Sequence, residues 1–493
     1  MPLIPLKIQP GVFKNGTEYQ ASGRWTDANL VRWFEGVMRP VGGWRKKIAT
    51  AVSGSARGLV TWSSNGGVKH LSVGTHSKLY VAEGGLNLSD VTPSGYTVGR
   101  ASAAAAVGYG AQAYGAYEYG VERPQTQTSG VLPATTWAMD TFGENLLACA
   151  STDGKIYQWV PGQTGPATVL TNAPTNNRAM IVTAERFVFA LGAAGIPRRV
   201  QWSEQENATT WTPLATNQAG DFDLQTAGSI LAGRRTRSGT LIWTDTDVHL
   251  AVYRGPPFIY SFERVGSGCG LISANAVAAA ETFAAWMSLS GFWLFDGYSK
   301  PLPSEVSDFV YRDLNYAQIS KISAMHNSQY GEVWWFYPGE ASNECNKYVI
   351  WNYRENHWSI GSISRTVGSD IGVFGQPIAV DPSGYIYDHE IGWLYDSAVP
   401  YAESGPVEIG NGDQVMVARQ LIPDEKTQGD VRASFKLKFY PNAPETVFGP
   451  YVMDAPTDVR FTARSARIRI ESVRNADWRV GVMRLEATAG GSR

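Results

Sequence analysis

Long apolar runs are missing from this chain. No stretch of about 20 apolar residues occurs in its 493 positions, so no membrane-spanning helix is expected. Cysteine is scarce. Cys149, Cys269 and Cys345 are odd in number, widely spaced and set in apolar or turn contexts. They exclude a disulfide scaffold and read as buried free thiols in a reducing compartment. Charged residues reach only 17% with a net charge of −2, which excludes a dedicated duplex-DNA or RNA binder with a basic face. A protein that nucleic acid merely slides past stays compatible with that balance. The opening MPLIPLKIQPGVF has two early prolines and no apolar core, so no secretory signal is expected.

Motifs for chemistry are equally thin. His70, His76, His249, His326, His357 and His389 have no i, i+4 partners on a helix, and His389 alternates with its acidic neighbours on what reads as a strand. A metal site is therefore not expected. Gly266-Ser-Gly-Cys-Gly270 lacks the Lys-Ser/Thr of a phosphate loop and reads as a tight turn. There is no G-x-S-x-G elbow. Two carboxylates suffice for glycoside hydrolysis, but nothing singles out a pair among the 44 acids. No catalytic, cofactor-binding or metal-binding residues are assigned.

Glycine (52 residues) and aromatics (12%) are abundant instead, while long Leu/Glu/Lys/Ala blocks are absent, which points to an all-β protein with many turns. One grammar recurs: an apolar strand, a Gly/Asp/Ser turn, then a strand ending in an aromatic. It reads in Lys69–Val81, Glu144–Trp159, Val182–Trp202, Gly239–Tyr253, Thr282–Asp296, Gly331–Asn352 and Gly375–Glu390. In the third copy VTAERFVFAL reads as a single strand. Most intervals are roughly 35 to 55 residues, the period of propeller blades, and a lone hairpin cannot bury both faces. The expectation is a seven-bladed β-propeller over 58–400. Trp202, Trp334 and Trp351 should pack between blades, and Leu302–Asn315 carries one short helix on the spacing of Val306, Phe309, Val310 and Leu314.

Three regions depart from the grammar. Residues 1–57 interleave Trp25, Trp33, Phe34 and Trp44 with Arg24, Arg32, Arg39, Arg45, Lys46 and Lys47. That pattern can stack bases and pair phosphates. Because Asp27 and Glu35 interrupt the basic run, the favoured reading is an outer β segment that joins the propeller, packs its aromatics and leaves its guanidinium groups at a subunit seam. Residues 84–136 form a Gly/Ala/Tyr-rich insertion almost free of large aliphatics, unable to supply a core of its own. Its Tyr109, Tyr114, Tyr117 and Tyr119 suit an arm that orders against a neighbour, or a plain surface loop. Residues 401–493 carry longer alternating strands and read as an additional C-terminal antiparallel β-domain. Arg464, Arg467, Arg469 and Arg474 crowd its end, either as solvated surface or as a salt-bridged seam between subunits.

Taken together, the GRWTDANLVRW…GGW opening, the repeated hairpins, the Gly/Tyr-rich insertion and the ending RIRIESVRNADWRVGVMRLEA resemble the tail nozzle (tail tubular or hub) proteins of short-tailed bacteriophages. The resemblance implies a virion tail protein assembled in the host bacterial cytoplasm. It implies a homo-hexameric ring below portal and adaptor proteins that supports tail fibres or spikes and lines the channel through which double-stranded DNA leaves. The family offers no catalytic residues to carry over. A glycan-active propeller enzyme and a monomeric protein-binding propeller are the competing classes.

Overall fold

The computed structural model describes residues 3–105, 131–408, 414–440 and 443–491. It is an all-β protein dominated by four-stranded antiparallel sheets. Seven of these follow one another along the chain, and in each the two middle strands are one of the recurring hairpins. The first sheet is Ala56–Ser63, Lys69–Thr75, Leu79–Glu83 and Asn87–Asp90, paired in that order. The second runs Trp137–Phe142, Asn145–Ala150, Ile156–Trp159 and Thr168–Val169, the third Ala179–Val182, Val188–Leu191, Arg199–Trp202 and Gly220–Asp223. The fourth is Ile230–Thr236, Gly239–Thr244, Asp247–Gly255 and Ile259–Ser267; the fifth is Val277–Ala279, Ala284–Ser288, Gly291–Phe295 and Ser299–Pro301. The sixth takes Ser323–Asn327, Glu332–Tyr337, Lys347–Asn352 and His357–Ser362. The seventh has only three strands from its own stretch, Val367–Ser369, Ile378–Val380 and Ile386–His389. Its fourth is Trp44–Lys46, three hundred residues away in sequence (Tyr387 opposite Lys46). The first strand of each sheet lies against the first strand of the next, and that of the seventh lies against that of the first.

Middle strands are buried on both faces, as in Glu332–Tyr337 and Val188–Leu191, which explains their near-continuous apolar sequence. Tryptophans fill the gaps between sheets and tie them with indole N–H donors. Trp137 of the second sheet donates to the Thr75 carbonyl of the first at 2.7 Å, and Trp335 of the sixth donates to Ala276 ahead of the fifth at 3.0 Å. Trp202 packs on Tyr260 of the fourth sheet, Trp351 on Phe283 in the first turn of the fifth, and Trp334 shares a cluster with Trp44 of the seventh. Cys149, Cys269 and Cys345 are buried and free. Desolvation pushes their thiols up to about 12, 11 and 12.

Three local readings change. VTAERFVFAL is two strands rather than one: Val182 ends the first, Val188 begins the second, and Thr183–Phe187 forms a turn with Arg186 at φ 65°. The Thr183 hydroxyl accepts from the Phe187 N–H at 3.2 Å and pins that turn. Between Leu302 and Asn315 the helix covers only Ser307–Arg312, and a 3-10 segment, Tyr316–Lys321, follows it. The 84–136 stretch is not uniform. Asn87–Asp90 completes the first sheet, Tyr96 stacks on Trp137 at 5.5 Å, and the short pair Ala104–Ala105 with Val131–Leu132 forms a stem.

Val31–Phe34 and Val37–Pro40 pair with each other as a hairpin, and the remaining strands make two facing sheets that draw on both ends of the chain. One is Leu3–Pro5, Arg484–Ala489, Met416–Ile422 and Thr457–Ala463. The other is Gln9–Val12, Arg24–Asn29, Tyr401–Ser404, Ser465–Ser472, Val431–Lys438 and Thr446–Val452, with Val407–Glu408 also on Ser465–Ser472. Phe435 of one meets Phe461 of the other with ring centres 4.9 Å apart. The period-2 pattern of Ser465–Ser472 puts Ile468 and Ile470 into that core and Arg467 and Arg469 on the outer face. Residues 1–57 thus divide among the start of the first sheet, the seventh sheet, the Val31–Phe34/Val37–Pro40 hairpin and these two sheets, and Gln9–Val12 and Arg24–Asn29 meet the sixth sheet along its outermost strand.

Candidate functional site

Backbone strands bring three charged constellations together, and each bears on what the chain can do. The first holds the root of the insertion. Arg57, at the start of the first sheet, is 1% exposed and bonds both oxygens of Glu344 at 2.8 Å. Glu344 lies in the turn between the middle strands of the sixth sheet. Lys321, also 1% exposed, donates to the same carboxylate at 2.8 Å, to the Asn343 carbonyl at 2.5 Å and to the Ser102 hydroxyl at 2.9 Å. Burial pulls the Lys321 ammonium down from its ordinary range, with Glu344 opposing the shift. Gln318 completes the clasp. Its side chain accepts from the Ala103 N–H at 3.0 Å and donates to the Ala103 carbonyl at 3.3 Å. Ala134 donates to the Ser320 hydroxyl at 3.0 Å, so both legs of the stem are held by the segment that enters the sixth sheet.

That clasp also spans the ring. Asn275, ahead of the fifth sheet, donates to the Arg57 carbonyl at 2.7 Å, although the first and fifth sheets are not neighbours. One end of the axis is therefore crossed by protein. Tyr109, Tyr114, Tyr117 and Tyr119 lie outside the described residues.

The second constellation joins the N-terminal strands to the sixth and seventh sheets. Arg32 is 2% exposed and bonds Glu332 at 2.8 and 2.9 Å and Glu390 at 2.6 and 2.9 Å, with the Tyr330 ring 3.7 Å beneath it. Trp25 and Trp33 are buried too. The interleaved aromatics and cations of this stretch are thus packing and internal pairing, and the base-stacking reading of those rings is set aside. Local sequence carries no sign of it: an arginine beside tryptophans reads the same whether its carboxylates come from solvent-facing neighbours or from 300 residues away.

The third is the outer face around Ser465–Ser472. Arg467 pairs with Glu403 and, at 3.0 Å, with Glu445; Arg469 pairs with Glu471 at 3.1 Å and stacks 3.7 Å over Tyr401. Lys436 also reaches Glu403 at 2.7 Å. Glu403 is held below the usual carboxylate range by Lys436 and the two arginines, against the pull of burial. Arg474 is exposed, 3.8 Å from Asp430. Arg464 donates its backbone N–H to Lys438 at 3.2 Å. Arg467 and Arg469 are thus committed within the chain, and a charge-paired surface, not a bare basic one, faces outward.

Among the described residues no group of three His, Cys, Asp or Glu side chains could hold a metal ion. No helix among them is long and apolar enough to cross a membrane. Burial lowers His70, His76, His249, His357 and His389 below the ordinary imidazole value, as expected of packed rings. His389 is the most strongly shifted, and its Nε2 accepts from Arg365 Nε at 2.8 Å.

No family model and no curated protein matches the chain. Among solved structures it is similar to the Pan2 WD40 domain of Neurospora crassa, at 11% identity over 70% of this chain and 95% of that one, TM-score 0.39. It is also similar to YCF48 bound to D1 peptide, at 9% identity over 73% and 99%, TM-score 0.40. A streptogramin B lyase gives 9% identity over 69% and 95%, TM-score 0.37. At these TM-scores the likenesses carry no argument about function.

Proposed function

We propose that the seven sheets are the blades of one β-propeller, closed by the N-terminal strand Trp44–Lys46, and that residues 401–493 form a β-sandwich domain together with the first strands of the chain. On this reading the chain is a structural subunit of a virion tail nozzle. Six copies form a ring below a portal and adaptor, with DNA leaving through the space between subunits and fibres or spikes docking outside. Because the propeller's own axis is crossed at one end by Asn275 and Arg57, the conduit belongs to the assembly and not to a single chain.

The observation that carries the reading is the clasp on the insertion. The two legs of the insertion's stem are locked through Ser102, Ala103 and Ala134 by Gln318, Ser320 and Lys321. A rigid root suits a projection that must meet a neighbour at a fixed angle, because less ordering remains to oppose association. A face of paired charges suits a conduit as well, since a strongly basic lumen would retain each phosphate. Mass photometry and negative-stain imaging of the purified chain test this. Closed rings of six copies are the expected result. A monomer that stays monomeric at tens of micromolar with the clasp intact, or a purified chain that turns over a glycan, overturns it.

A further inference from the structure

The first strands of the seven sheets enclose a cavity of about 360 Å³ on the axis. Trp137, Met139, Met180 and Met325 contribute to its wall, but the surface it presents is more polar than apolar. Small residues let the strands approach: a Cβ on Gly368 would stand 2.6 Å from the Met325 sulfur. At one end lies the Asn275–Arg57 crossing. At the other stand the ion pair of Asp140 with Arg235 at 2.9 Å and a contact of Asp370 with His326 Nδ1 at 2.8 Å.

Between those ends the polar groups are unbalanced. The Arg234 guanidinium bonds only carbonyl oxygens, Gly233 at 2.8 Å and Ala274 at 3.3 Å, and no carboxylate bonds it among the described residues. Asp140 acts on it through space, but that carboxylate already accepts from Arg235 and from the Thr141 and Val182 N–H groups at 2.8 and 3.0 Å. The Ser323 hydroxyl, which lines the same cavity, is buried without a hydrogen-bond partner. Arg57 Nε, beside the crossing, is likewise buried and unpartnered. Buried donors of this kind are rarely left empty, and a cation held partly away from bulk water attracts an anion more strongly than one in free solution.

We propose that the axial cavity binds a small oxyanion, a carboxylate or a phosphate, with Arg234 supplying the charge and Ser323 a hydrogen bond. The volume sits at the low end of small-molecule sites, which suits a small ligand and not a polymer. Binding fills the axis with a countercharge shared among strands from different sheets, and so it ties the ring together. The site stands on the axial geometry alone and is independent of the virion reading.

Titration calorimetry and thermal melts of the purified full chain, with sodium succinate and with inorganic phosphate against sodium chloride at equal ionic strength, decide the matter. The expected result is saturable binding of at least one oxyanion. At a hundredfold excess over its Kd, the folding equilibrium should shift by about 100-fold. Response to succinate alone or phosphate alone names the source of the oxyanion. Arg234→Gln should weaken binding at least about tenfold, and Ser323→Ala by several-fold, the size of a lost hydrogen bond. Arg312→Gln, on the exposed helix, should change nothing. Absence of any shift beyond the chloride control, or equal affinity in wild type and in whichever of the two cavity variants folds, overturns the proposal.

Discussion

Replacing Arg32 with Met offers the sharpest test of how the N-terminal strands are held. Arg32, Glu332 and Glu390 are each at most 4% exposed along their side chains, and the guanidinium donates four hydrogen bonds to the two carboxylates. Met fills similar volume without charge, so the loss is electrostatic and not a cavity. Breaking a buried pair typically costs about 3–5 kcal/mol, because the stranded charge cannot be hydrated. Here two carboxylates are stranded, with only Trp334, Gly42 and Asn327 still donating to them.

The pH dependence follows from the sign of the shift. Desolvation already raises Glu332 above its ordinary value, with Arg32 opposing it, so removing Arg32 raises Glu332 further. A carboxyl with a raised folded value binds its proton more tightly in the native state. Its contribution is full below the unfolded value and is lost as pH rises through the folded one. If the variant takes up one proton on folding, its stability falls by about 1.4 kcal/mol per pH unit, or about 2 kcal/mol between pH 5.5 and 7. Urea titrations followed by tryptophan fluorescence at both pH values measure this. The double variant Arg32→Met/Glu390→Gln should regain part of the loss. A cost below about 1 kcal/mol, or a cost that does not change with pH, would refute the reasoning.

Other expectations are independent of that cluster. Trp335→Ala should destabilise by about 3–5 kcal/mol, read as a lower melting temperature, since its ring is wholly buried between the fifth and sixth sheets. The three thiols should resist an aromatic disulfide reagent in the native chain and all react after unfolding, because burial holds each of them protonated. Below about pH 6.5 the unfolded chain takes up protons that His389 and the other lowered histidines refuse, so stability should decline as the medium is acidified. His389→Gln should flatten that decline in calorimetric melts, and an unchanged slope would assign it elsewhere.

The hairpins were legible because a middle strand is buried on both faces and its turn must be tight, so apolar run and Gly/Asp turn recur together. Outer strands were harder. Asn87–Asp90 is mostly exposed and carries no apolar run, so it merged with the insertion behind it. The partners of the N-terminal strands were invisible, because pairing such as Leu3 with Glu486 or Trp25 with Ser404 leaves no periodic trace in either segment. Arg32 shows the same limit for charge. Its type suggested a phosphate contact or a subunit seam, whereas Glu332 and Glu390 arrive from distant strands and bury it. The arginines of Ser465–Ser472 were placed on the right face by alternation, but their acidic partners, Glu403 and Glu445, could not be read from spacing.

Trp44–Lys46 completes a sheet whose other strands lie far later in the chain. During synthesis that strand must therefore wait, unpaired, while about 340 further residues are added, which at 5–20 residues per second is roughly 17–70 s. Its edge and the apolar face of Trp44 are open to wrong partners for the whole interval, and the early sheets have no closed circle to join. A circularly permuted gene that begins ahead of the fifth sheet would bring Trp44–Lys46 out soon after its partners. Such a chain should give a higher soluble yield at elevated temperature than the native order, with the same final melting point.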